Sequence, residues 1–459
     1  MYKDKTLRFI SLSQANRHSA HPEATPITMR NHWTTWGLLL LLASLAGCSE
    51  PFSRKSRQPL PPLETTNFKS KADNSVVGHI YRLQLQKGDT LADVARHFAI
   101  GFQALQDANP GIDPWLPPEG KEIILPLAFI LPNAPREGLV INLPSMRLFH
   151  FKEHGRVESY PIGIGRAGWN TPLGRTHIVQ KKSNPKWVVP ESIRREHASL
   201  GDPLPKVVPS GPDNPLGSHA LRLGFPSYLI HGTNKPYGVG LRISHGCIRL
   251  YPENMVNLYS RVEVGTPVTI VDQPYLLGWW GNQLYLEAHT PLQPQGEETV
   301  KWLAELEGRL RRIEKEIHGE IDWNRVAETV SEARGIPIPI LTKARNLDRL
   351  IASVPLAPHP DQWPYSPDFP DFSVGWYLDL DLPLMTRDAR KLAAILRHQG
   401  PPLPAHRIGD QVFIGPYASK PAAIKIKSRL QRKLQLGSKL VSPWKSQELL
   451  KMTVIHYRE

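Results

Sequence analysis

The chain has 459 residues, of which 45 are proline, 33 glycine and only 2 cysteine, and its 56 Lys and Arg against 42 Asp and Glu leave a formal charge of +14. That length exceeds one ordinary core and calls for roughly two to four domains at about 150 residues each. Proline at nearly twice its usual share of about 5% favours extended, strand-rich structure over a helical bundle, the 40% hydrophobic content excludes global disorder, and two cysteines exclude a disulfide scaffold and a four-thiolate zinc site.

From Trp36 to Gly47 the chain reads WGLLLLLASLAG, an apolar run of signal-peptide length that is too short to span a bilayer as a helix. It ends at Leu45-Ala46-Gly47-Cys48. Small residues before a lone cysteine at the end of such a run resemble the lipobox of bacterial lipoproteins. The resemblance implies that residues 1–48 are a lipoprotein signal, that the Cys48 thiol is acylated and that this residue becomes the mature N-terminus. An ordinary secretory signal is the competing reading. Met29-Arg30 would give a short basic n-region of normal proportions and is an alternative start. Ser49 resembles the sorting choice for the outer membrane, so the expected location is the periplasmic face of that membrane in a Gram-negative bacterium. There, nucleic acid is excluded as the partner of the positive charge, and anionic envelope polymers or phospholipid headgroups fit it.

Residues 49–78 are polar, basic and proline-bearing (Pro51, Pro59, Pro61, Pro62) and read as a linker. Residues 79–126 change character. His79 to Leu85 alternates as a strand does; Gly88-Asp89-Thr90 offers a turn and a cap, and Leu91, Val94, Ala95 and Phe98 then fall on one helical face. A second short helix follows over Phe102 to Ala108, closed by Asn109-Pro110-Gly111, and Glu122 to Pro126 returns as a strand. This strand–helix–helix–strand order, with KGDTLADVARHF and ANPGIDPWLPPEGKEIILP, resembles a LysM module, which implies binding to N-acetylglucosamine-containing glycan; a small structural domain is the alternative.

Residues 138–273 are strand-rich, with runs at Leu139–Leu143, Arg147–Phe151, Tyr160–Ile164 and Thr176–Val179 that predict a sandwich or barrel-like β domain. Within 297–334, Val300, Leu303, Leu306, Leu310, Ile313, Ile317 and Ile321 step by three or four, predicting one amphipathic helix of five or six turns. Residues 336–371 read as a proline-rich linker. From 372 to 459, GWYLDLDL, MTRDARKLAAILRHQG and HRIGDQVFIGPYASKPAAIKIKSRLQRKL predict strand, helix, strand, helix. The piece VFIGPYASKPAA resembles a SPOR domain, which implies an α+β, ferredoxin-like fold that binds septal glycan stripped of stem peptides. A generic interaction module of the same fold is the alternative.

The chemistry concentrates in residues 231–250, HGTNKPYGVGLRISHGCIRL. A lone cysteine flanked by histidines in an exported β domain suits a nucleophile, because an imidazole can take the thiol proton or stabilise the thiolate as imidazolium. Gly246 removes a side chain where a carbonyl must approach, and successive backbone N–H groups in such a turn can hold an oxyanion. Three other readings of Cys247 compete: a buried structural thiol, which the flanking Ser-His-Gly and Arg disfavour; a disulfide with Cys48, which acylation of Cys48 would preclude; and a zinc ligand together with His231 and His245.

This segment, with NTPLGRTHIV and VPSGPDNPLGSHALRLG before it, resembles the catalytic segment of the L,D-transpeptidases, particularly the LysM-bearing periplasmic members. The resemblance implies a multidomain protein: a mostly-β catalytic domain flanked by a small α+β LysM-like module and an α+β SPOR-like domain. No metal or other cofactor is implied. Carried over by position, Cys247 is the nucleophile and His231 the general base, with a backbone carbonyl near Gly232 holding its other nitrogen. His245, Gly246 and Cys247 line the oxyanion region beside Ser244, and Arg249 supports the site or substrate. The implied reaction attacks the third residue of a peptidoglycan tetrapeptide stem, releases D-Ala and passes the thioester to an amine. A diaminopimelate acceptor gives a 3→3 cross-link, a lysine of an outer-membrane lipoprotein gives an anchor, and water gives hydrolysis. A peptidoglycan-binding scaffold with an idle site is the alternative from a different class.

Overall fold

The computed structural model describes residues 65–456 except 71–73, 200–202, 318, 345–346, 366–371, 381–385, 399–402 and 409–410. The signal segment, Cys48 and most of the 49–78 stretch lie outside the described residues.

The linker expected over 49–78 is contradicted at its end. β1 (Asn67–Lys69) and β2 (Val76–Gly78) are strands, with Phe68, Val76 and Val77 buried. They are only three residues each, too short to show a period, and their apolar residues find partners far along the chain. β1 pairs with residues 156–158, and β2 with residues 128–130.

The small α+β module follows as read. β3 (Tyr81–Gln84) and β4 (Glu122–Leu125) pair antiparallel around α1 (Leu91–His97) and α2 (Phe102–Ala108). The Thr90 hydroxyl accepts from the Asp93 N–H at 3.1 Å, capping α1, and Leu91, Val94 and Ala95 are buried on its inner face. β5 (Ala128–Ile130) leads into the catalytic domain.

That domain contains β6 (Gly138–Asn142), β7 (Arg147–Phe151), β8 (Arg156–Pro161), β9 (Ile164–Gly165), β10 (Gly174–Ser183), β11 (Trp187–Val188), α3 (Glu191–Ser199), β12 (Val207–Val208), β13 (His219–Leu223), β14 (Leu229–His231), β15 (Arg242–Ser244), β16 (Ile248–Arg249), α4 (Pro252–Tyr259) and β17 (Pro267–Val271). Eight of these strands and β1 form one hydrogen-bonded sheet of nine, ordered β1-β8-β7-β6-β17-β10-β13-β14-β16, while β9 pairs with β15 and β11 with β12 as separate two-stranded pieces. Alternation sends the residues of one strand into two cores. Leu139, Ile141, Leu148 and Tyr160 face the main core with Ile230, Ile248 and Met255, whereas Val140, Phe149 and Val157 pack with Phe68 and Phe129 on the other side. Strands buried on both faces explain the continuous apolar runs in the sequence.

Residues 275–341 form a second corrected region. A hairpin of β18 (Tyr275–Trp280) and β19 (Gln283–Ala288) pairs with β20 (Ile338–Pro339). The single helix expected in 297–334 is two, α5 (Glu297–Glu316) and α6 (Trp323–Glu332). Asp322 caps α6 by accepting from the Arg325 N–H at 3.0 Å, and Ile321 bridges Leu341 instead of extending the helical stripe. Leu303, Leu306 and Leu310 are buried as their spacing implies, whereas Val300 is exposed.

The linker expected over 336–371 is contradicted as well. Besides β20 it holds α7 (Leu347–Ser353), and residues 354–365 strap the small module. The Arg82 N–H donates to Pro355 O (2.9 Å), the Ala357 N–H donates to Arg82 O (2.7 Å), and the Trp363 indole donates to the Asp89 carboxylate (2.9 Å). Proline count concealed a segment whose Ile336, Ile338, Ile340 and Ala357 are buried.

The C-terminal region runs β21 (Trp376–Leu380), α8 (Thr386–Arg397), β22 (Ala405–Ile408), β23 (Gln411–Tyr417), α9 (Lys420–Leu434), β24 (Lys439–Val441) and α10 (Pro443–His456). The antiparallel sheet order β22-β23-β21-β24 is the ferredoxin-like arrangement. The stretch read as one strand over HRIGDQVFIGPY is the hairpin β22–β23.

The small module is docked on the catalytic domain. Gly240, at φ +82°, lies so close to α2 that a Cβ there would sit 2.4 Å from both Gly101 Cα and Phe102 N. The Phe102 N–H donates to Val239 O (3.2 Å), the buried Arg147 guanidinium to Ala99 O (2.8 Å) and the Tyr251 hydroxyl to Ile100 O (3.1 Å). Gly240→Val is expected to cost about 3 kcal/mol, because it adds left-handed strain to overpacking of backbone on backbone. Gly265→Ala, also left-handed but with open space around it, is expected to cost only about 1 kcal/mol. Thermal unfolding of the two variants checks this, and equal losses would refute the docking contact.

Candidate active site

Two short parallel pairings build the site. β14 beside β16 sets Ile230 opposite Ile248 and His231 opposite Arg249, so the strand that ends in a histidine lies against the strand that leaves Cys247. β9 beside β15 holds the start of the same turn, with the Arg166 N–H donating to Ser244 O at 3.0 Å.

The turn Ser244-His245-Gly246-Cys247 is closed by its own serine. Ser244 Oγ donates to Cys247 O (2.6 Å) and accepts from the Gly246 N–H (3.2 Å). The Gly246 N–H is therefore occupied within the turn, and this glycine serves by conformation: it has φ +99°, and a Cβ would press on the Tyr228 ring at 2.8 Å. Thr171 Oγ1 anchors the turn from below by donating to Gly246 O at 2.9 Å.

His231 is 3% exposed, and its Nδ1–H donates to Gly232 O at 2.6 Å, which leaves Nε2 as the basic nitrogen. Burial, and then the Arg249 charge, push its pKa down to about 3, so the ring is neutral throughout the neutral range. Burial also pushes the Cys247 thiol up, against the opposing pull of the Leu229 N–H and Arg249, and the thiol lies 3.7 Å from Ser227 O. Arg249 is itself lowered by burial, and its Nε has no hydrogen-bond partner among the described residues.

His245 is held from outside the turn. Its Nε2–H donates to Glu196 Oε2 at 2.8 Å, and its ring stands edge-on to Trp169 at 4.8 Å. Burial lowers its pKa, with Glu196 opposing. The Arg166 guanidinium pairs with the other oxygen of Glu196. These groups open into a cleft of about 1240 Å³, roofed by α3 and the β11–β12 ribbon and lined by Trp187, Tyr228, His231, His245, Cys247 and Arg249.

Comparison with known proteins agrees with this geometry. Residues 136–270 match the model of the L,D-transpeptidase catalytic domain, and residues 84–126 match that of the LysM domain. The chain is 37% identical over 271 residues to the probable L,D-transpeptidase YcfS of Escherichia coli, covering 58% of this chain and 82% of that one. It is 36% identical to the probable L,D-transpeptidase ErfK/SrfK of the same organism, covering 63% and 92%. The chain belongs to the L,D-transpeptidase family.

Of the residues that the sequence nominates for this L,D-transpeptidase site, His231, Ser244, His245, Gly246, Cys247 and Arg249 lie on the two pairings or the turn between them, and Gly232 directly follows β14. Arg166, Trp169, Thr171 and Glu196 escaped the sequence reading. Trp169 and Thr171 border or fall within the NTPLGRTHIV segment, but nothing local to Glu196 marks it, because its partners lie 30 and 49 residues away. Burial holds Cys247 mainly as the protonated thiol at neutral pH. Alkylation of Cys247 by iodoacetamide is therefore expected to climb steadily with pH through the alkaline range; a high, flat rate at pH 5 would instead reveal a standing thiolate.

Proposed function

We propose that this L,D-transpeptidase works by nucleophilic catalysis at Cys247. The parallel register that seats His231 on the strand beside the one leaving Cys247 supports the reading, because it puts a neutral, oriented imidazole in the same cleft as the thiol. Sγ attacks the carbonyl of the third residue in a tetrapeptide stem while His231 Nε2 accepts the thiol proton. The tetrahedral intermediate collapses, the peptide C–N bond breaks, and the proton passes from His231 to the departing D-Ala amine. The thioester then yields to an acceptor amine, which loses its proton to His231 as the thiol is restored. Arg249, whose Nε has no hydrogen-bond partner among the described residues, lines the cleft where a stem carboxylate or the developing oxyanion would lie. The outcome is peptidoglycan cross-linking or lipoprotein attachment, and the three acceptors (diaminopimelate, lipoprotein lysine, water) share these residues.

The LysM domain is proposed to hold glycan strands, and the ferredoxin-like C-terminal domain, with Gly415-Pro416-Tyr417 closing β23 just ahead of α9, to act as a SPOR-like glycan reader. An immobile polymer substrate makes such tethers effective by raising the local concentration of enzyme. Acylation of Cys48 would add attachment to the periplasmic face of the outer membrane.

Muropeptide mass spectrometry after incubation with tetrapeptide-bearing sacculi tests the chemistry. Cys247→Ala is expected to lose about a thousand-fold or more of 3→3 or lipoprotein-linked product while still pelleting with sacculi; a product profile equal to that of the native enzyme would sink the proposal. For the address, radiolabelled palmitate is expected to mark the native protein and not Cys48→Ala, and a fluorescent fusion lacking residues 372–459 is expected to lose midcell enrichment.

A further inference from the structure

We infer that Glu196 is a positioning residue of this site: by accepting from His245 Nε2 it fixes the tautomer of the imidazole beside Cys247 and locks the overhanging helix α3 onto the nucleophile turn. The inference rests on the cysteine reading above. An ionised carboxylate can only accept, so its contact at 2.8 Å requires a proton on His245 Nε2 and leaves Nδ1 as the basic nitrogen. His231 is set the opposite way, with Nδ1 protonated against Gly232 O. The two imidazoles that share the cleft with the thiol therefore carry complementary tautomers, each imposed by a different acceptor. Arg166 keeps Glu196 ionised, and the carboxylate sits below its usual range because of the hydrogen bonds from Arg166 and His245. Arg166 also ties its own backbone to Ser244, so one clamp joins the loop after β9, helix α3 and the turn that carries Cys247.

The clamp matters because α3 has little else to hold it. Ile193 is its single buried residue, and residues such as Lys186, Trp187, Pro190 and His197 on or beside it roof the cleft. Opening or closing this roof over a stem peptide would pull directly on His245. The charged and titratable groups that face His245 are Glu196 and His197 from α3, Arg166 from the loop after β9, and Arg249 and Cys247 beyond the turn.

Two variants of the full-length enzyme separate this role from a merely structural one. Glu196→Gln keeps the shape and an acceptor oxygen but removes the charge that favours imidazolium. The His245 ring, followed by NMR and assigned with His245→Gln, is expected to titrate about half to one pH unit lower. Glu196→Ala is expected to lower kcat about ten-fold with KM changed less than about two-fold, as orientation is lost and binding is kept. An unmoved His245 midpoint in Glu196→Gln, or an unchanged kcat in Glu196→Ala, would overturn the inference. It stands apart from the cysteine reading, since activity persisting in Cys247→Ala would overturn that reading whatever the His245 titration shows.

Discussion

The parallel pairing of β14 with β16 is the constraint on which the rest depends. Two residues of each strand are enough to seat a buried histidine against an arginine and to present Cys247 at the lip of the cleft. Such a short pairing would not persist alone, because a few ladder bonds do not offset the entropy of ordering the chain. It persists because Ile230 and Ile248 alternate inward to a core shared with Ile178, Leu221, Met255 and Leu258. The polar ends of the strands, His231 and Arg249, are thereby set in the wall of the cleft as a by-product of packing their apolar middles.

The connection from His231 to the Ser244–Cys247 turn runs through residues 232–243 and is stabilised by a separate module. The backbone of α2 takes up Val239 O and Gly240 O, and the Gly101–Gly240 approach excludes any side chain on either residue without displacement. The LysM domain is thus part of the scaffold that holds the candidate active site. Charged contacts reinforce the docking. Arg96 makes a two-pronged pair with Glu253 at 3.0 Å, and Arg147 is buried with its guanidinium 3.9 Å above the Phe129 ring, where burial drives its pKa down to about 9. On the far side of the module, the strap and α8 set bases against its acids: His359 on Asp89, His398 on Asp93 and Lys391 on Asp113. One lysine and two histidines of the C-terminal half thus pair with acids of the LysM domain.

Legibility in the sequence followed the range of the interactions. The helices of the LysM domain and the strands β6, β7 and β10 were readable because period and caps act within a few residues. The site motif was readable because its members fall within twenty residues. The two linkers were misread for the converse reason: Phe68, Val77, Ile338 and Ala357 look unremarkable in their own neighbourhoods and become core only when residues far along the chain, such as Phe129, Leu286 and Arg82, cover or pair with them. The long helix was overextended because Ile317 and Ile321 keep the spacing, while the cap at Asp322 and the bridge to Leu341 redirect the chain.

The sequence by itself determined which residues could do chemistry and that the chain divides into a glycan-type module, a β catalytic domain and an α+β tail, since each of these is written in local pattern and residue type. Only the tertiary structure decided which nitrogen of each histidine is basic, that Gly246 N–H is consumed by Ser244, that Glu196 and Arg166 belong to the site, and that the LysM domain braces it. Protonation and orientation depend on burial and on partners brought together from distant strands, and no run of neighbouring residues encodes those distances.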